Sequence, residues 1–364
     1  MRLVRDLMMK AVRLSVWRGV LCCAVVLRAL SGTGRPASSS ELAPPVIGSL
    51  ALLAKSAQTY TEQRTCFSCH HQTLPVLALQ QARGQGFEVA GKEIQRQLAF
   101  TQRFFADRRT QVAMGKDVPG GPFTAGYALL VLGENRWPRD GTTDALVEYL
   151  TRHQAADGSW WIVPHRHPME QSMFTATALS LRGLQLYALT DKATLSTRKN
   201  VQARIDRARQ WIDATSVKTH EDKVFRLWGL KWSGVAAARQ SELGALLLKE
   251  QRADGGWAQL SDMDSDAYAT GQALVVLHRA ARLDPRSAAY RKGVSYLLKQ
   301  QGKDGSWLVK TRCEPVQEYF ESGFPHGASQ FISIAATSWA ARALLYADVA
   351  DPSSPRKGVS PEAP

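Results

Sequence analysis

Apolar residues recur at spacings of three and four along most of the chain, and few stretches alternate with the period of two that a strand needs. The pattern predicts twelve helices, at 46–63, 73–83, 91–105, 123–132, 142–154, 170–189, 201–214, 221–232, 239–251, 266–282, 288–301 and 332–347. They alternate in kind. One set is rich in small residues and apolar on most sides, as in Phe174-Thr175-Ala176-Thr177-Ala178-Leu179, Ala269-Thr270-Gly271-Gln272-Ala273-Leu274 and Ala336-Thr337-Ser338-Trp339-Ala340-Ala341. The other set carries a polar face. A helix apolar all round is buried, and an amphipathic one faces water. Six of each predict an all-α (α/α)6 toroid in a single domain.

Three of the amphipathic helices end in one pattern. Gln154 leads to Asp157-Gly158-Ser159-Trp160, Gln251 to Asp254-Gly255-Gly256-Trp257, and Gln301 to Asp304-Gly305-Ser306-Trp307. Glycine takes the φ > 0 conformation that stops a helix, and aspartate bonds its own backbone in the turn. A tryptophan just past such a turn must bury its area on a neighbouring helix. Gln251 and Gln301 are 50 residues apart, and Gln154 and Gln251 are 97 apart, close to two such steps. A period near fifty signals a repeat architecture. The helix 201–214 has Trp211 but lacks the ending, and reads as a degenerate copy.

These turns resemble the QW motif of squalene–hopene and oxidosqualene cyclases, with Lys292-Gly293, Tyr296-Leu297, Gln301, Gly305 and Trp307 matching the pattern most closely. Related toroids include the β subunits of protein prenyltransferases. The resemblance covers residues 46–347 as one toroid, whereas the cyclases have two. It implies an apolar cavity for an isoprenoid-like small molecule and, if the chain is an enzyme, cyclase or prenyltransferase chemistry. Cyclases protonate their substrate with a D-x-D-D motif. The matching stretch here holds Asp262, Asp264 and Asp266 just before a predicted inner helix; with Asp266 aligned to the family's last aspartate, Ser265 stands at its catalytic position. Clustered carboxylates raise one another's pKa, so one could act as an acid; alternatively Asp264, Ser265 or Asp266 caps the helix. Prenyltransferases hold zinc with Asp, Cys and His. Only Cys313 and His326 are available late in the chain, without a nearby aspartate, and Cys313 reads as a lone loop thiol.

The chain has 364 residues, 45% hydrophobic and 21% charged, a globular composition with ample length for a core. Residues 1–31 are different. Five basic residues precede the apolar run 20–27, as in a secretory signal peptide, so the protein is expected in the periplasm or secreted, or held by an uncleaved N-terminal anchor. Residues 32–45 read as a linker and 348–364 as a disordered tail. The net charge of +14 is spread over helix faces without a dense basic run. This argues against nucleic acid as a partner and leaves a membrane surface open.

Export bears on one further motif, Cys66-Phe67-Ser68-Cys69-His70, followed by His71. C-x-x-C-H resembles the attachment site of c-type cytochromes. Two thiols at that spacing add to the heme vinyl groups, and the adjacent His70 binds the iron. A Cys66–Cys69 disulfide, or a small metal site using His70 and His71, are the alternatives. With heme c, the iron's sixth ligand comes from His165, His167, Met169, Met173 or His326, in loops expected at one mouth of the toroid. The loop 320–327 is expected to lie over the cavity. Three functions follow: an exported heme protein with an apolar ligand, a redox role and a redox partner; an acid-using cyclase-like enzyme; or a binding module without catalysis.

Overall fold

The computed structural model describes residues 39–163, 166–189, 194–315 and 318–349. Six inner helices form a ring: α2 (Leu74–Gly84), α5 (Gly121–Glu134), α7 (Met173–Ala188), α9 (His220–Trp232), α11 (Ala267–Arg279) and α13 (Gln330–Val349). Each packs on the next, and α13 packs back on α2. Six outer helices surround them: α1 (Ser39–Gln63), α3 (Gly91–Ala106), α6 (Gly141–His153), α8 (Leu195–Ala214), α10 (Ala237–Leu248) and α12 (Ala288–Gln300). Each outer helix sits against two inner ones, as α6 does against α5 and α7, and α12 against α11 and α13. A short helix, α4 (Arg109–Ala113), interrupts what the sequence predicts as a loop. Among the described residues the backbone is helical or irregular, with one isolated β-bridge, Trp257 to Asp266.

The two predicted kinds of helix are the two layers. In α11 every residue from Ala267 to Leu277 is buried. Its small residues permit close packing: a Cβ on Gly271 would stand 2.7 Å from the backbone nitrogen of Ala340 on α13. In α3 only Ile94, Gln97, Leu98, Thr101, Phe104 and Phe105 are buried, which is one face at helical spacing.

The three repeated turns share one geometry. Trp160, Trp257 and Trp307 are fully buried, and each indole Nε1 donates to a carbonyl ten residues back, at 2.8 to 2.9 Å. Asp157, Asp254 and Asp304 each accept the backbone N–H two residues on. Gly158, Gly255 and Gly305 have φ of 96°, 93° and 86°, the left-handed region. The glutamine spans outward. Gln154 donates to the Arg204 carbonyl of α8, Gln251 to Ala289 of α12, and Gln301 to Pro45 of α1. Three neighbouring pairs of outer helices are thus stitched, one of them joining the last to the first.

Several boundaries differ from the sequence expectation. Helix α1 begins at Ser39, inside the expected linker, and contains Pro44 and Pro45. Burial of Leu42 and Val46 and the Gln301 bond to Pro45 hold that turn despite two missing N–H donors. Helix α7 starts at Met173 rather than 170, because Ser172 caps it by accepting from the N–H groups of Phe174 and Thr175. Helix α8 starts earlier than expected, behind the Thr194 cap. Helix α13 runs to Val349, past the expected start of the tail. The expected leader, half of the expected linker and most of the expected tail lie outside the described residues. Among the described residues no helix is long and apolar enough to cross a membrane.

Candidate functional site

The segment between α1 and α2 is where the toroid departs from regular helix. Cys69–Thr73 forms a π-helical turn capped by Ser68, whose Oγ accepts from the His71 N–H. Single π turns of this kind recur at functional sites. Gln72 fixes the turn, accepting the Ser68 N–H at 2.8 Å and donating to Gln97. Gln97 in turn donates to the Ala57 carbonyl of α1.

This turn places His70 and His71 on the wall of a cavity of about 280 Å³. Arg166 and Cys313 share the wall, and Tyr319, Phe320 and Phe331 complete an aromatic side. The loop expected to lie over the cavity does so through Phe320. Ser56 donates to the Ser322 carbonyl, and Gln330 donates to that of Phe320, which fixes the loop. The rings are in series. Phe320 meets Tyr60 edge-on, Tyr60 stacks on His71 at 4.9 Å, and His70 meets Phe331 at 5.8 Å. Arg64 lies over the outer face of Phe320.

The two imidazoles are joined Nδ1 to Nδ1 at 2.7 Å. His71 Nε2 is buried without a partner among the described residues. Burial pushes the His70 pKa well below its ordinary value, with His71 and Arg166 adding to the effect. Burial, then Arg166, pushes His71 down to about 3. Both are neutral near pH 7, so across the Nδ1–Nδ1 bond one ring donates and keeps its Nε2 lone pair, while the other accepts and carries an Nε2–H.

The other predicted residues are placed as follows. Cys66 is exposed, with its Sγ 3.1 Å from the Tyr60 hydroxyl. Cys69 is 6% exposed, and burial, then Glu170, pushes its thiol up. Both are free thiols, and neither lines the cavity. His165 lies outside the described residues. His167, Met169, Met173 and His326 do not line the cavity: Met169 is buried in the core, and His326 Nε2 is taken by Ser306 at 2.7 Å.

The aspartates disperse rather than converge. Asp262 and Asp264 are exposed. Asp266 caps α11, accepting from the Ala269 N–H at 2.9 Å and from Gln259 at 3.0 Å. Burial pushes its pKa up to about 6, the cap pulling the other way. The capping alternative is the arrangement found.

Sequence inspection passed over a different carboxyl. Glu221, in the first turn of α9, is 2% exposed. It accepts from Thr175 Oγ1 at 3.1 Å, Tyr268 OH at 2.9 Å and Gln272 Nε2 at 3.0 Å, all on flanking inner helices. Burial raises it to about 8, against those hydrogen bonds, so it is mostly protonated at pH 7. The available signal was an acid in the first turn of a helix predicted to be buried. It was easy to pass over, because acids are ordinary there: Asp222 beside it closes the capping box with Thr219.

No protein-family model matches the sequence, and no curated protein matches it. Solved structures share the fold. One is a variant of the type II terpene cyclase MstE from Scytonema in complex with geranylgeranyl dihydroxybenzoate, its substrate. It is 14% identical over 86% of this chain and 99% of that chain, with a TM-score of 0.54. A second MstE variant, in complex with the product merosterolic acid A, is 14% identical over 86% and 98%, with a TM-score of 0.56. A possible member of the GH105 family from Salmonella enterica is 13% identical over 87% and 95%, with a TM-score of 0.53. At such identities the likeness concerns architecture, and the architecture serves unlike chemistries. The chain is an all-α toroid of the terpene-cyclase type.

Proposed function

We propose that the protein carries a covalent c-type heme at the mouth of its toroid and exchanges electrons with an apolar, isoprenoid-like small molecule outside the cytoplasm. The observation that carries this is His70: a neutral imidazole, its Nδ1 engaged by His71, on the wall of an aromatic cavity. The donor set fits the group. Cys66 and Cys69 would hold the macrocycle and His70 the iron, and bound heme supplies one-electron transfer. The chain's own residues do the rest. His71 orients His70 through Nδ1, and its stack on Tyr60 fixes His71. Phe320 and Phe331 exclude water, and Arg166 stands beside them on the wall, ion-paired with Glu170 at 3.1 Å. Cys69 is covered in the closed toroid, so bond formation there precedes or reopens closure. An isoprenoid-like ligand is supported by the geranylgeranyl substrate of the MstE structure.

The test is a pyridine hemochrome spectrum of protein exported from a host with c-heme maturation, beside Cys66→Ala/Cys69→Ala. A c-type α band lost in the double variant is expected. A folded wild-type toroid without that band sinks the proposal.

A second function is favoured by Glu221, a carboxyl protonated near neutrality in the toroid interior. It would serve as the general acid of a cyclase-like reaction. Incubation with linear polyprenyl compounds should then yield cyclic product, lost in Glu221→Gln while the melting temperature is kept; turnover surviving in that variant removes Glu221 from the chemistry.

A further inference from the structure

A second cavity, of about 300 Å³, lies between the start of α9 and the turn after α10, apart from the mouth site and independent of the function proposed for it. Lys218, Lys223 and Arg252 face one carboxylate, Glu250, so the wall holds two positive charges in excess. Arg252 is a fixed charge. Its guanidinium is pinned by the carbonyls of Ser261 at 3.1 Å, Leu260 and Met263. Lys223 Nζ pairs with Glu250 at 2.5 Å, which neutralises that carboxylate and leaves the excess charge on Lys218 and Arg252. Lys218 is exposed and has no ion-pair partner among the described residues.

The inner wall is His220, the first residue of α9, 3% exposed and with both ring nitrogens buried and, among the described residues, without a partner in hydrogen-bond geometry. Burial, then Lys223, keeps this imidazole uncharged, while the Ala269 carbonyl pulls weakly the other way. Buried polar side chains nearly always have a partner. An anion in the cavity would give His220 one, since the ring can donate from either nitrogen.

We propose that this cavity binds a small phosphate-type dianion. Two excess charges match a dianion, and cationic side chains at a helix N-terminus suit its tetrahedral oxygens. A free phosphoester and a lipid headgroup phosphate share that chemistry.

The test uses the full chain at constant ionic strength. Inorganic phosphate and pyrophosphate are titrated by calorimetry. In parallel, phosphatidylcholine vesicles with and without phosphatidic acid are assayed by co-sedimentation. The His220 ring proton is followed by NMR. Saturable binding is expected, weakened about tenfold by Lys218→Gln or Lys223→Gln and unchanged by Lys249→Gln, a lysine outside the cavity. The His220 signal should move with occupancy. Binding of the soluble anions alone identifies a free ligand. Phosphatidate-dependent sedimentation with the same variant pattern identifies a headgroup. A response that sodium chloride reproduces, or equal weakening by Lys249→Gln, overturns the proposal.

Discussion

Two carboxyls occupy the first turns of adjacent inner helices, and they behave differently. Asp266 at the start of α11 accepts a backbone N–H of its own helix and works as an anion in a cap. Glu221 at the start of α9 accepts only side-chain donors, from Thr175, Tyr268 and Gln272. Burial is the main cause in both, and it is deeper at Glu221 than at the half-buried Asp266, so Asp266 rises to about 6 and Glu221 to about 8. The difference teaches that depth of burial, more than carboxylate density, decides which group keeps its proton. The acid-rich stretch 262–266 drew attention in the sequence, while the buried Glu221, beside Asp222, is the protonated one.

The largest test of that contrast is truncation. Glu221→Ala strands three buried donors and opens a void, at a cost of about 3 kcal/mol or more, whereas Asp266→Ala loses one cap, worth about 1 kcal/mol. Urea unfolding of the two variants should show that order, and equal losses would erase the distinction. Next comes pH. A carboxyl raised from 4.5 to about 8 on folding binds its proton more tightly in the native state. Its contribution is full below pH 4.5 and is lost as pH rises towards 8, a slope on the order of 3–5 kcal/mol in total. Melting curves of Glu221→Gln should lack that slope. Asp266→Asn should remove a smaller one of the same sign, confined between about pH 4 and 6. The smallest effect belongs to Asp262→Asn and Asp264→Asn. Both side chains are exposed, and stability should stay within about 0.5 kcal/mol of wild type.

The toroid was legible because its signals are local. Gln, Asp-Gly and Trp at fixed offsets specify the turn, and the alternation of apolar and amphipathic helices assigns the layers. The motif Cys66–His71 was flagged by its residue types, while the π turn that displays it was not. Glu221 was not, since its environment is assembled from α7, α9 and α11, up to 51 residues away along the chain. The mouth cavity likewise needs Phe320 and Phe331 brought over His70 from the far end of the chain. Asp262-x-Asp264-x-Asp266 misled because a spacing of two ahead of a helix leaves only the last carboxyl on the capping position.

The bond from Gln301 to the Pro45 carbonyl joins residues 256 positions apart, and α13 is the inner partner of α1. During synthesis α1 therefore leaves the ribosome long before the surface it is shaped to cover exists. Its apolar face must wait, through the making of five-sixths of the ring, for α12 and α13 to arrive. Such late, long-range closure slows folding and exposes an aggregation-prone intermediate. A chain ended before α13 would keep its local helices and lack any way to seal them.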